Sequence, residues 1–583
     1  MIVPHDEVKN HAESERKRAR FMLFGIIALL VLLGGRVVHI NTALRSRLVA
    51  LAEQQHRGSS LVPARRGTIL DARGRVLAAT RQAPDVFIDP IQADDLEAVA
   101  QRLAPRINVP ADRIVHEVES RPGRRYVVLA TEVDDITAEA VAKLNDPAVG
   151  LTDRAKRTYP LGRSAAHVVG FVGRDGRGLE GLELRYDAHL RGADGRRVTV
   201  RDARRRTLGH AAEPPRPPVD GGHLVLTIDA EVQRVTEDAL RHAVAEFSAE
   251  SGVGIVMSPW TGDVLAMALA PDFDLNEPGA FLPATRRNRV VTDPTEPGSA
   301  FKPIIACGAL DGEFVSLTEK IDCHQGVHYF GGRRVTDTSP HGLLDLTGIL
   351  THSSNIGMGT IAQRMGNGVL HATIRRFGFG EVTGLECPGE DPGLVRPLHR
   401  WTSYSTNAVA IGYEIAATPI QLIAAFAAIV NDGVLLRPRV VRALLSPEGQ
   451  LIEEFTGPHA VRRVASIDTA RFLANEALVA VVADGSARHA LNGPYRILGK
   501  TGTAKLPFAD RQGYEPGAYV STFVGAAPAA MPEIVVLVMI RRPNPSRGYF
   551  GSTVAAPAAG QILQATLAYF GVAPSERVAL SGM

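Results

Sequence analysis

One apolar stretch near the start of the chain constrains its architecture more than any other feature. Residues 21–35 carry no charge, and the apolar character resumes after Arg36, so Phe21–Ile40 forms a stretch of 20 residues. As a helix it would be about 30 Å long, which matches the hydrocarbon core of a bilayer. Arg36 lies near one end and can extend its guanidinium to the interface. We therefore predict a membrane anchor over residues 21–40.

The surroundings of this stretch predict how the chain is inserted. A cleaved signal peptide is the alternative, because the uninterrupted apolar part is short for a membrane span. No small-x-small cleavage pattern follows it, which favours a retained anchor. Basic residues are more frequent before the stretch than after it, so the positive-inside rule predicts a short cytoplasmic tail over residues 1–20 and an exported remainder. The basic residues are Lys9, Arg16, Lys17, Arg18 and Arg20 upstream, and Arg45, Arg47 and Arg57 downstream.

Composition excludes several other classes of protein. With 583 residues, the chain exceeds the roughly 250–300 residues that one hydrophobic core supports and is expected to form two or three domains. Apolar residues make up 45% and charged residues 22%, which excludes a disordered chain. The net charge of +3 is too small to indicate nucleic-acid binding. Cys307, Cys323 and Cys387 are too widely spread for a zinc site or a disulfide scaffold and allow at most one pair.

A proline-rich run at residues 214–218 divides the exported part of the chain. Its composition predicts a stiff linker, so we place one domain at residues 41–215, a second at 216–575 and a short tail at 576–583. The arginines of the first domain's basic hairpin could bind a polyanion or lipid headgroups, but a solvated face is favoured because no aromatic residues interleave. The predicted parts of this domain are a helical stalk over 41–60, a strand and turn at Gly67–Gly74, two helical runs within 91–145 and the basic hairpin over 196–206.

The second domain has strand patterns at both ends of its sequence and helical patterns between them. This arrangement predicts an α+β domain in which a helical insertion interrupts one sheet. Residues 300–480 are predicted to be mainly helical, with a buried helix at Gln421–Val430. Predicted strands are Leu224–Ile228, Gly252–Ser258, Asp263–Ala268, Tyr495–Leu498, Ser521–Ala526 and Ile534–Ile540, and predicted helices are Ala230–Ala249 and Ala556–Tyr569.

Three short motifs in this domain carry residues suited to acyl-transfer chemistry. The first is Ser299-Ala300-Phe301-Lys302, which Pro297 and Gly298 precede and an apolar run follows. A helix that starts at or just before Ser299 puts Ser299 and Lys302 on one face, as in a serine nucleophile with a lysine base. The lysine must then be neutral, which requires burial or a neighbouring cation. The spacing alone is weak evidence, because residues 14–17 match it too.

The second motif, Ser353-Ser354-Asn355, is predicted to lie in a turn between two helices. A hydroxyl and an amide two residues apart can relay a proton and orient a substrate amide. The triplet Ser405-Thr406-Asn407 has the same pattern, so this motif also means little by itself.

The third motif is Lys500-Thr501-Gly502-Thr503. In an extended chain Lys500 and Gly502 face one way, and Thr501 and Thr503 face the other. An ammonium, two hydroxyls and backbone N–H groups on an edge strand suit the binding of a carboxylate, and a glycine admits a close approach. A loop that merely enters a strand is the alternative for this tetrapeptide taken alone.

The three motifs in this order resemble the signature of the penicillin-recognising acyl-serine transferases. Over nearly its whole length the chain resembles a class B penicillin-binding protein, a peptidoglycan D,D-transpeptidase. No glycosyltransferase domain precedes the first domain, which separates the chain from the bifunctional class A enzymes. Further family-like segments are Arg66–Asp71 with Gly74 and Leu77-Ala78, Gly178–Glu183 with Tyr186-Asp187, Asn288-Arg289, Glu296-Pro297-Gly298, Gly412-Tyr413, Thr418–Gln421 and Thr522–Gly525.

The resemblance implies a fold and a location. The expected fold is α+β, with a single transmembrane helix, an elongated pedestal or dimerisation-like domain and a transpeptidase domain. In the transpeptidase domain, helices flank an antiparallel sheet and an all-α subdomain is added. The expected location is the bacterial cytoplasmic membrane, with the catalytic domain on the periplasmic or extracellular side.

The resemblance also implies roles for the motif residues. Ser299 is the nucleophile that attacks the penultimate D-Ala of a stem pentapeptide, and Lys302 is its base. The remaining catalytic roles fall to Ser353 (proton transfer to the leaving group), Asn355 (holding the peptide) and Lys500 (positive field). Thr501, Gly502 and Thr503 bind substrate, with both hydroxyls on its carboxylate and the N–H groups of Ser299 and Thr503 as the oxyanion hole. No cofactor or metal is needed, and β-lactams should acylate Ser299.

Within class B, residues 287–289 and the segments around Ser299 and Lys500 resemble most closely the division-type (FtsI-like) enzymes, which act in septal wall synthesis. This implies a membrane glycosyltransferase and divisome proteins as partners. The alternatives are an elongation- or sporulation-type transpeptidase and a non-catalytic penicillin-binding sensor or scaffold. Residues 320–345, including Cys323 and His324, match no pattern of the family.

Overall fold

The computed structural model describes residues 5–48, 57–152, 154–201, 207–210, 216–508 and 510–575. Contacts divide the chain into two compact units. One unit combines the chain up to Ala64 with Ala193–Val219, and the other combines Arg65–Gly192 with the chain from Asp220 onward. The units are thus interleaved in sequence, whereas the predicted domains are consecutive; the limits of those domains stay predictions.

The first unit contains the anchor helix and a small sheet. The helix runs over His5–Thr42, and its 28-residue part Glu15–Thr42 is the one helix in the described ranges that is long and apolar enough to span a membrane. This is consistent with a single-pass anchor. In the sheet, Gly195–Arg201 pairs antiparallel with both Arg57–Val62 and Thr207–His210.

The helical stalk predicted over residues 41–60 is wrong at its far end, where Arg57–Val62 is a strand. Its pairing partner is Gly195–Arg201, a segment distant in sequence, so a local pattern cannot reveal this pairing. Residues 49–56 of the predicted stalk and residues 202–206 of the predicted basic hairpin lie outside the described residues.

The N-terminal part of the second unit is built on two sheets. The first is six-stranded, and Ile69–Leu70 runs parallel to His223–Leu226 within it. The second is three-stranded, with Asp85–Ile88 at its centre. The strand order of the first sheet is Leu451–Glu454, Val441–Leu445, His223–Leu226, Ile69–Leu70, Val76–Gln82 and Ala155–Thr158, and the outer strands of the second are Val127–Ala130 and Val149–Thr152.

Three helices pack on the three-stranded sheet, whereas the sequence predicts two helical runs over residues 91–145. The additional helix is Asp135–Ala142, which the Asp134 carboxylate caps by accepting from the N–H of Thr137 at 2.7 Å. The other two are Leu96–Ile107 and Ala111–Glu119, and three short helices, Ala166–Val169, Gly181–Arg185 and Asp187–Arg191, follow later in the chain.

A five-stranded antiparallel sheet is the centre of the second unit. Ala230–Glu246 and Ala556–Tyr569 pack on one of its faces through a shared apolar core, and the fully buried helix Pro419–Val430 packs on the other. The expected α+β fold with a sheet between helices is confirmed, as is the buried helix at Gln421–Val430. The strand order is Val264–Ala270, Ser251–Met257, Ile534–Arg541, Tyr514–Ala527 and Leu498–Pro507.

The strand predicted near Tyr495–Leu498 begins at Leu498 and runs to Pro507, so the Lys-Thr-Gly motif lies inside a strand. The apolar residues that gave the signal, Tyr495 and Ile497, are buried in the core just before the strand starts. We name Leu498–Pro507 the motif strand; it is the edge strand of the central sheet.

The predicted helical insertion is present, and short strand pairs interrupt it. Residues 320–345 contribute two of these pairs, Ile321–Asp322 with Leu343–Leu344 and Val327–Phe330 with Arg333–Thr336. The other two are Leu394–Val395 with Ile415–Ala416 and Val434–Leu436 with Ala460–Arg463. The helices are Pro283–Arg286, Arg289–Thr292, Lys302–Asp311, Leu346–Thr351, Asn355–Arg376, Ser405–Ala410, Pro419–Val430, Ile467–Phe472, Leu478–Ala483 and, after the motif strand, Gly551–Val554.

The three cysteines are buried free thiols. Cys307 lies in the helix that starts at Lys302 and is fully buried in the large core, as predicted from its position. Burial raises the pKa of the Cys307 thiol, so it stays neutral and serves as a packing group.

A buried ion-pair cluster joins the two segments of family-like sequence in the first half of the chain. The Glu183 carboxylate, which is 0% exposed, accepts from Arg66 Nε at 2.6 Å and from Arg157 Nε at 2.7 Å. Arg66 also donates to Asp187 Oδ1 at 2.6 Å. Burial of these charged groups is possible because each has a partner of opposite charge. Removal of one group leaves its partners buried without a counter-charge.

We therefore expect Glu183→Gln to destabilise the protein by about 3–5 kcal/mol, because two buried guanidinium groups lose their shared carboxylate. The measurement is the thermal unfolding midpoint. Glu139→Gln is the matched control; Glu139 pairs with Lys143 at 2.8 Å with side chains that are 69% and 72% exposed, and its loss is expected to cost less than about 1 kcal/mol. Equal midpoints for the two variants would mean that the Glu183 carboxylate does not stabilise the fold.

Candidate active site

The Ser299 turn is held by close backbone packing. Gly298 has φ +54°, and Ser299 lies in a 3-10 turn, Gly298–Phe301, that leads into the helix Lys302–Asp311. Gly412, at φ +81°, presses on this turn so closely that a Cβ there would lie 2.2 Å from the carbonyl oxygen of Gly298. The result is a partly exposed Ser299 above a fully buried Lys302.

The Lys302 ammonium reaches the second motif. Its Nζ donates to the carbonyl oxygen of Ser353 at 2.5 Å and to Asn355 Oδ1 at 2.9 Å, and it lies 3.3 Å from Ser353 Oγ. Ser353 has φ +56° and lies in the turn between the helices Leu346–Thr351 and Asn355–Arg376, as predicted. This uncommon backbone conformation points both the carbonyl and the hydroxyl of one residue at the same ammonium.

The third motif reaches the same hydroxyl from the opposite direction. Lys500 Nζ lies 3.1 Å from Ser353 Oγ and 3.2 Å from the carbonyl oxygen of Thr501, and Lys500 is 1% exposed. The Ser353 hydroxyl therefore lies between two ammonium groups. This contact chain of Lys302, Ser353 and Lys500 brings the three motifs together, and Ser299 precedes Lys302 by three residues in the first of them.

The motif strand presents its side chains as the alternation predicts. Lys500 and Gly502 are buried, whereas Thr501 and Thr503 are partly exposed. A Cβ on Gly502 would lie 2.9 Å from the carbonyl oxygen of Pro297, so this glycine lets the strand approach the turn that carries Ser299. Thr503 Oγ1 accepts from the N–H of Gly551 at 3.0 Å, which fixes the hydroxyl beside the strand.

The electrostatics of the two lysines favour a neutral base. Burial, and then the nearby Lys500 ammonium, lower the pKa of Lys302 well below its ordinary value. Burial lowers the pKa of Lys500 to about 7. Two lysines around one hydroxyl are unfavourable when both are protonated. One of them is therefore neutral and can accept a proton. A lysine base requires burial or a neighbouring cation, and this site has both.

Among the described residues, the other Ser-x-Asn triplet, Ser405-Thr406-Asn407, makes no hydrogen bond to this cluster. Ser405 Oγ bonds Glu414 Oε2 at 2.7 Å at the start of a separate buried helix. The ring of His352 stacks on that of His341 at 4.2 Å. The Ser299 hydroxyl has no hydrogen-bond partner within the described part of the chain, and no group of three His, Cys, Asp or Glu side chains there is placed to hold a metal.

Sequence reasoning missed Asp337, which follows the strand Arg333–Thr336 and contacts the second motif. Asp337 Oδ2 accepts from Ser354 Oγ at 2.5 Å, and Oδ1 accepts from the backbone N–H of Asn355 at 2.5 Å. Residues 320–345 match no family pattern, so no sequence signal connects this aspartate with a turn formed later in the chain.

Fold and site together define a class of protein. A serine at the start of a buried helix, a Ser-x-Asn turn and a Lys-Thr-Gly edge strand on an antiparallel sheet form the site of a penicillin-recognising acyl-serine transferase. The model of the penicillin binding protein transpeptidase domain matches residues 252–564. The model of the penicillin-binding protein dimerisation domain matches residues 61–226. The chain belongs to this family: it is a class B penicillin-binding protein, a peptidoglycan D,D-transpeptidase and hence a serine acyl-transferase.

Relatives cover nearly the whole chain. The chain is 30% identical over 99% of its length to the probable peptidoglycan D,D-transpeptidase PenA of Neisseria meningitidis, covering 96% of that protein. It is 30% identical to the peptidoglycan D,D-transpeptidase FtsI of Escherichia coli, over 97% of this chain and 94% of the relative. It is 32% identical to stage V sporulation protein D of Bacillus subtilis, over 96% and 86%.

Solved structures agree with this assignment. Penicillin binding protein 3 from Mycobacterium tuberculosis, complexed with ampicillin, superposes with a TM-score of 0.70 at 28% identity. The match covers 89% of this chain and 98% of that one. A peptidoglycan synthetase from Bifidobacterium adolescentis matches over the same shares of the two chains, with a TM-score of 0.71 at 26% identity.

The buried lysine pair predicts a pH-dependent gain of stability when one charge is removed. We expect Lys500→Met to raise the thermal midpoint and to increase the free energy of unfolding by on the order of a few kcal/mol. The methionine side chain has a similar length but carries no buried proton-binding group. Lys505→Met is the control, since Lys505 is exposed on the same strand.

The sign follows from proton binding. Folded Lys500 has a pKa of about 7 and an unfolded lysine about 10.4, so between these values the unfolded wild type binds more protons and its stability rises with pH. The Lys500→Met advantage is therefore largest at pH 7 and below, and it shrinks as the pH rises toward 10. An advantage of the same size at pH 6 and pH 9 would contradict the assignment.

Proposed function

We propose that Ser299 is the nucleophile with which this transpeptidase cross-links peptidoglycan stem peptides, and that β-lactams inhibit it by acylating the same oxygen. The observation that carries the proposal is the contact chain from Lys302 through Ser353 Oγ to Lys500. It supplies a base three residues after Ser299 and a proton carrier in contact with that base, while the Ser299 side chain is partly exposed and can meet a substrate.

In the acylation step, neutral Lys302 takes the proton of the Ser299 hydroxyl as Oγ attacks the carbonyl carbon of the penultimate D-Ala. The new bond is Oγ–C, and the C–N bond to the terminal D-Ala breaks. The leaving nitrogen needs one proton, and the Ser353 hydroxyl, 3.3 Å from Lys302 Nζ, can deliver it and be reprotonated from that lysine. Protons therefore balance without a cofactor.

Binding groups surround the reacting carbonyl in this proposal. The backbone N–H groups of Ser299 and Thr503 form the oxyanion hole, where one donor is typically worth about 10²–10³ in rate. The Thr501 and Thr503 hydroxyls, on the exposed side of the motif strand, bind the terminal carboxylate. Asn355 holds the peptide amide. Lys500 contributes positive field rather than a direct bond to the acyl group.

Deacylation completes the reaction. An amine from a neighbouring stem peptide attacks the acyl carbon, the Oγ–C bond breaks and the new amide is the cross-link. The proton released by the amine returns to Ser299. Water in place of the amine gives a carboxypeptidase reaction, so the two outcomes differ only in the acceptor.

Ser299→Ala is expected to abolish covalent labelling by fluorescein-labelled penicillin, because the acylated oxygen is gone. The readout is a gel together with the intact mass, which should show a β-lactam-sized adduct that survives denaturation in wild type. Ser405→Ala, in the second Ser-x-Asn triplet, is the matched control and should label normally. An adduct on the Ser299→Ala protein would overturn the assignment, and a folded wild type that never labels would indicate a scaffold with an inactive pocket.

We further propose that the enzyme acts in the division septum, with a membrane glycosyltransferase and divisome proteins as partners. Support comes from residues 287–289 and from the relative named FtsI. A sporulation role is the second candidate, because stage V sporulation protein D is 32% identical. The proposed topology is an N-terminal tail in the cytoplasm and a catalytic domain outside.

A fluorescent-protein fusion tests location and topology together. A green fluorescent protein on the N-terminus should fluoresce, because the tail is cytoplasmic, and should concentrate at midcell during division. The same protein fused to the C-terminus and exported should stay dark. Depletion of the protein should give filamentous cells, because septal wall synthesis would stop. Uniform fluorescence along the cell wall, or a defect confined to spores, would contradict the division role.

A further inference from the structure

We propose that Asp337 is a positioning residue for this site. Its carboxylate holds the Ser353–Asn355 turn in the shape that meets Lys302, and it places a negative charge opposite that lysine. The inference rests on the proposed function, since it concerns the base of the proposed acylation step. It also assigns a purpose to part of the segment 320–345, which the family motifs leave unexplained.

The Asp337 carboxylate accepts three hydrogen bonds, two from the second motif and one from the residue after it. Oδ2 accepts from Ser354 Oγ at 2.5 Å, and Oδ1 accepts from the N–H groups of Asn355 at 2.5 Å and Ile356 at 3.1 Å. Those N–H groups open the 22-residue helix Asn355–Arg376 and have no partner within it. A carboxylate is also the group that a helix N-terminus favours.

Ser354 links this carboxylate to the helix a second time. While its hydroxyl donates to Asp337, its oxygen accepts from the N–H of Gly357 at 2.9 Å. Ser354 is fully buried, so this two-way bond is shielded from water. The middle residue of the Ser-x-Asn motif thus faces away from Lys302 and anchors the turn.

The neighbouring residue fixes the orientation of the Asn355 amide. Asn355 Nδ2 donates to the carbonyl oxygen of Thr336 at 3.0 Å, which leaves Oδ1 to accept from Lys302 at 2.9 Å. Asn355 is therefore held at its backbone by Asp337 and at its side chain by Thr336. Asp337 in turn donates its own N–H to the carbonyl oxygen of Gly326 at 3.1 Å. The hairpin that precedes Asp337 thus acts as a rigid support for the turn.

The charge of Asp337 also acts on Lys302. Burial and the Lys500 ammonium lower the pKa of Lys302, while the Asp337 carboxylate and the Cys323 sulfur act in the opposite direction. Burial raises the pKa of the Cys323 thiol, so this group stays neutral. The remaining neighbours, Ser353 and Asn355, carry no charge. Asp337 is therefore the anionic group that keeps Lys302 basic enough to take a proton.

The sign of the expected effect follows from this charge. Acylation needs neutral Lys302, so its rate falls on the acidic side as Lys302 becomes protonated. Asp337→Asn removes the opposing negative charge and so lowers the pKa of Lys302 further. The acidic limb of the pH–rate profile, where the acylation rate falls, then moves to lower pH. It also replaces one acceptor oxygen by an NH2 group that cannot accept a hydrogen bond, so the turn loosens and the plateau rate should fall, on the order of 10²-fold.

The experiment measures the second-order rate of acylation of the full chain by fluorescein-labelled penicillin from about pH 5 to 9. Asp337→Asn should lower the plateau and shift the acidic limb to lower pH. Asp337→Glu keeps the charge on a longer side chain, so it should lower the plateau with the limb unmoved. Asp322→Asn is the matched control: it removes an exposed carboxylate from the same segment and should leave both features at their wild-type values.

The outcomes are decisive. A wild-type plateau rate in Asp337→Asn overturns the proposal. A lower plateau rate with an unmoved acidic limb also overturns it, because Asp337 would then only cap the helix. Should Asp337→Asn not fold, a wild-type plateau in Asp337→Glu overturns the positioning role and a lowered plateau with an unmoved limb supports it. Failure of the proposed function is a separate result, since the wild type itself would then not be labelled.

Discussion

Two buried lysines that share one hydroxyl are the interaction on which the site depends. Lys302 and Lys500 approach Ser353 Oγ at 3.3 and 3.1 Å from a helix and from a strand that are distant in sequence. Neither ammonium would be stable there without hydrogen-bond acceptors, because burial of an unpaired charge is costly. The protein surrounds them with carbonyl oxygens, one amide oxygen and a hydroxyl. Burial lowers the pKa of both lysines, and the Lys500 ammonium lowers that of Lys302 further.

This arrangement explains why so much of the domain is rigid around it. The turn that carries Ser299 is packed against Gly412 and Gly502 at distances that leave no space for a side chain. The helix that carries Lys302 is buried almost throughout, and the motif strand is paired along its length with the next strand of the central sheet. The tight packing keeps the two lysines from relaxing toward water, so their lowered pKa values are a property of the fold.

Much of this could be predicted from sequence, and the reason is physical. The i, i+3 spacing of Ser299 and Lys302 and the alternation along residues 500–503 are local rules that the structure follows. What sequence could not give was long-range pairing. The strand Arg57–Val62 pairs with a distant segment, and Asp337 reaches a turn formed later in the chain. Helix Asp135–Ala142 was missed although its cap, Asp134, is a recognisable signal.

The position of Asp337 also separates two kinds of constraint on a site of this type. In the proposed mechanism the motif residues supply the reacting groups, so few other residue types could replace them. Asp337 acts only through the turn that it holds and through its charge. It follows a two-stranded hairpin, Val327–Phe330 with Arg333–Thr336, in a segment whose ends pair as Ile321–Asp322 with Leu343–Leu344. A change in that hairpin can therefore alter how readily Lys302 takes a proton while every motif residue stays the same. The reactivity of this site toward an acylating substrate then depends on the support of the Ser-x-Asn turn as well as on the motif itself.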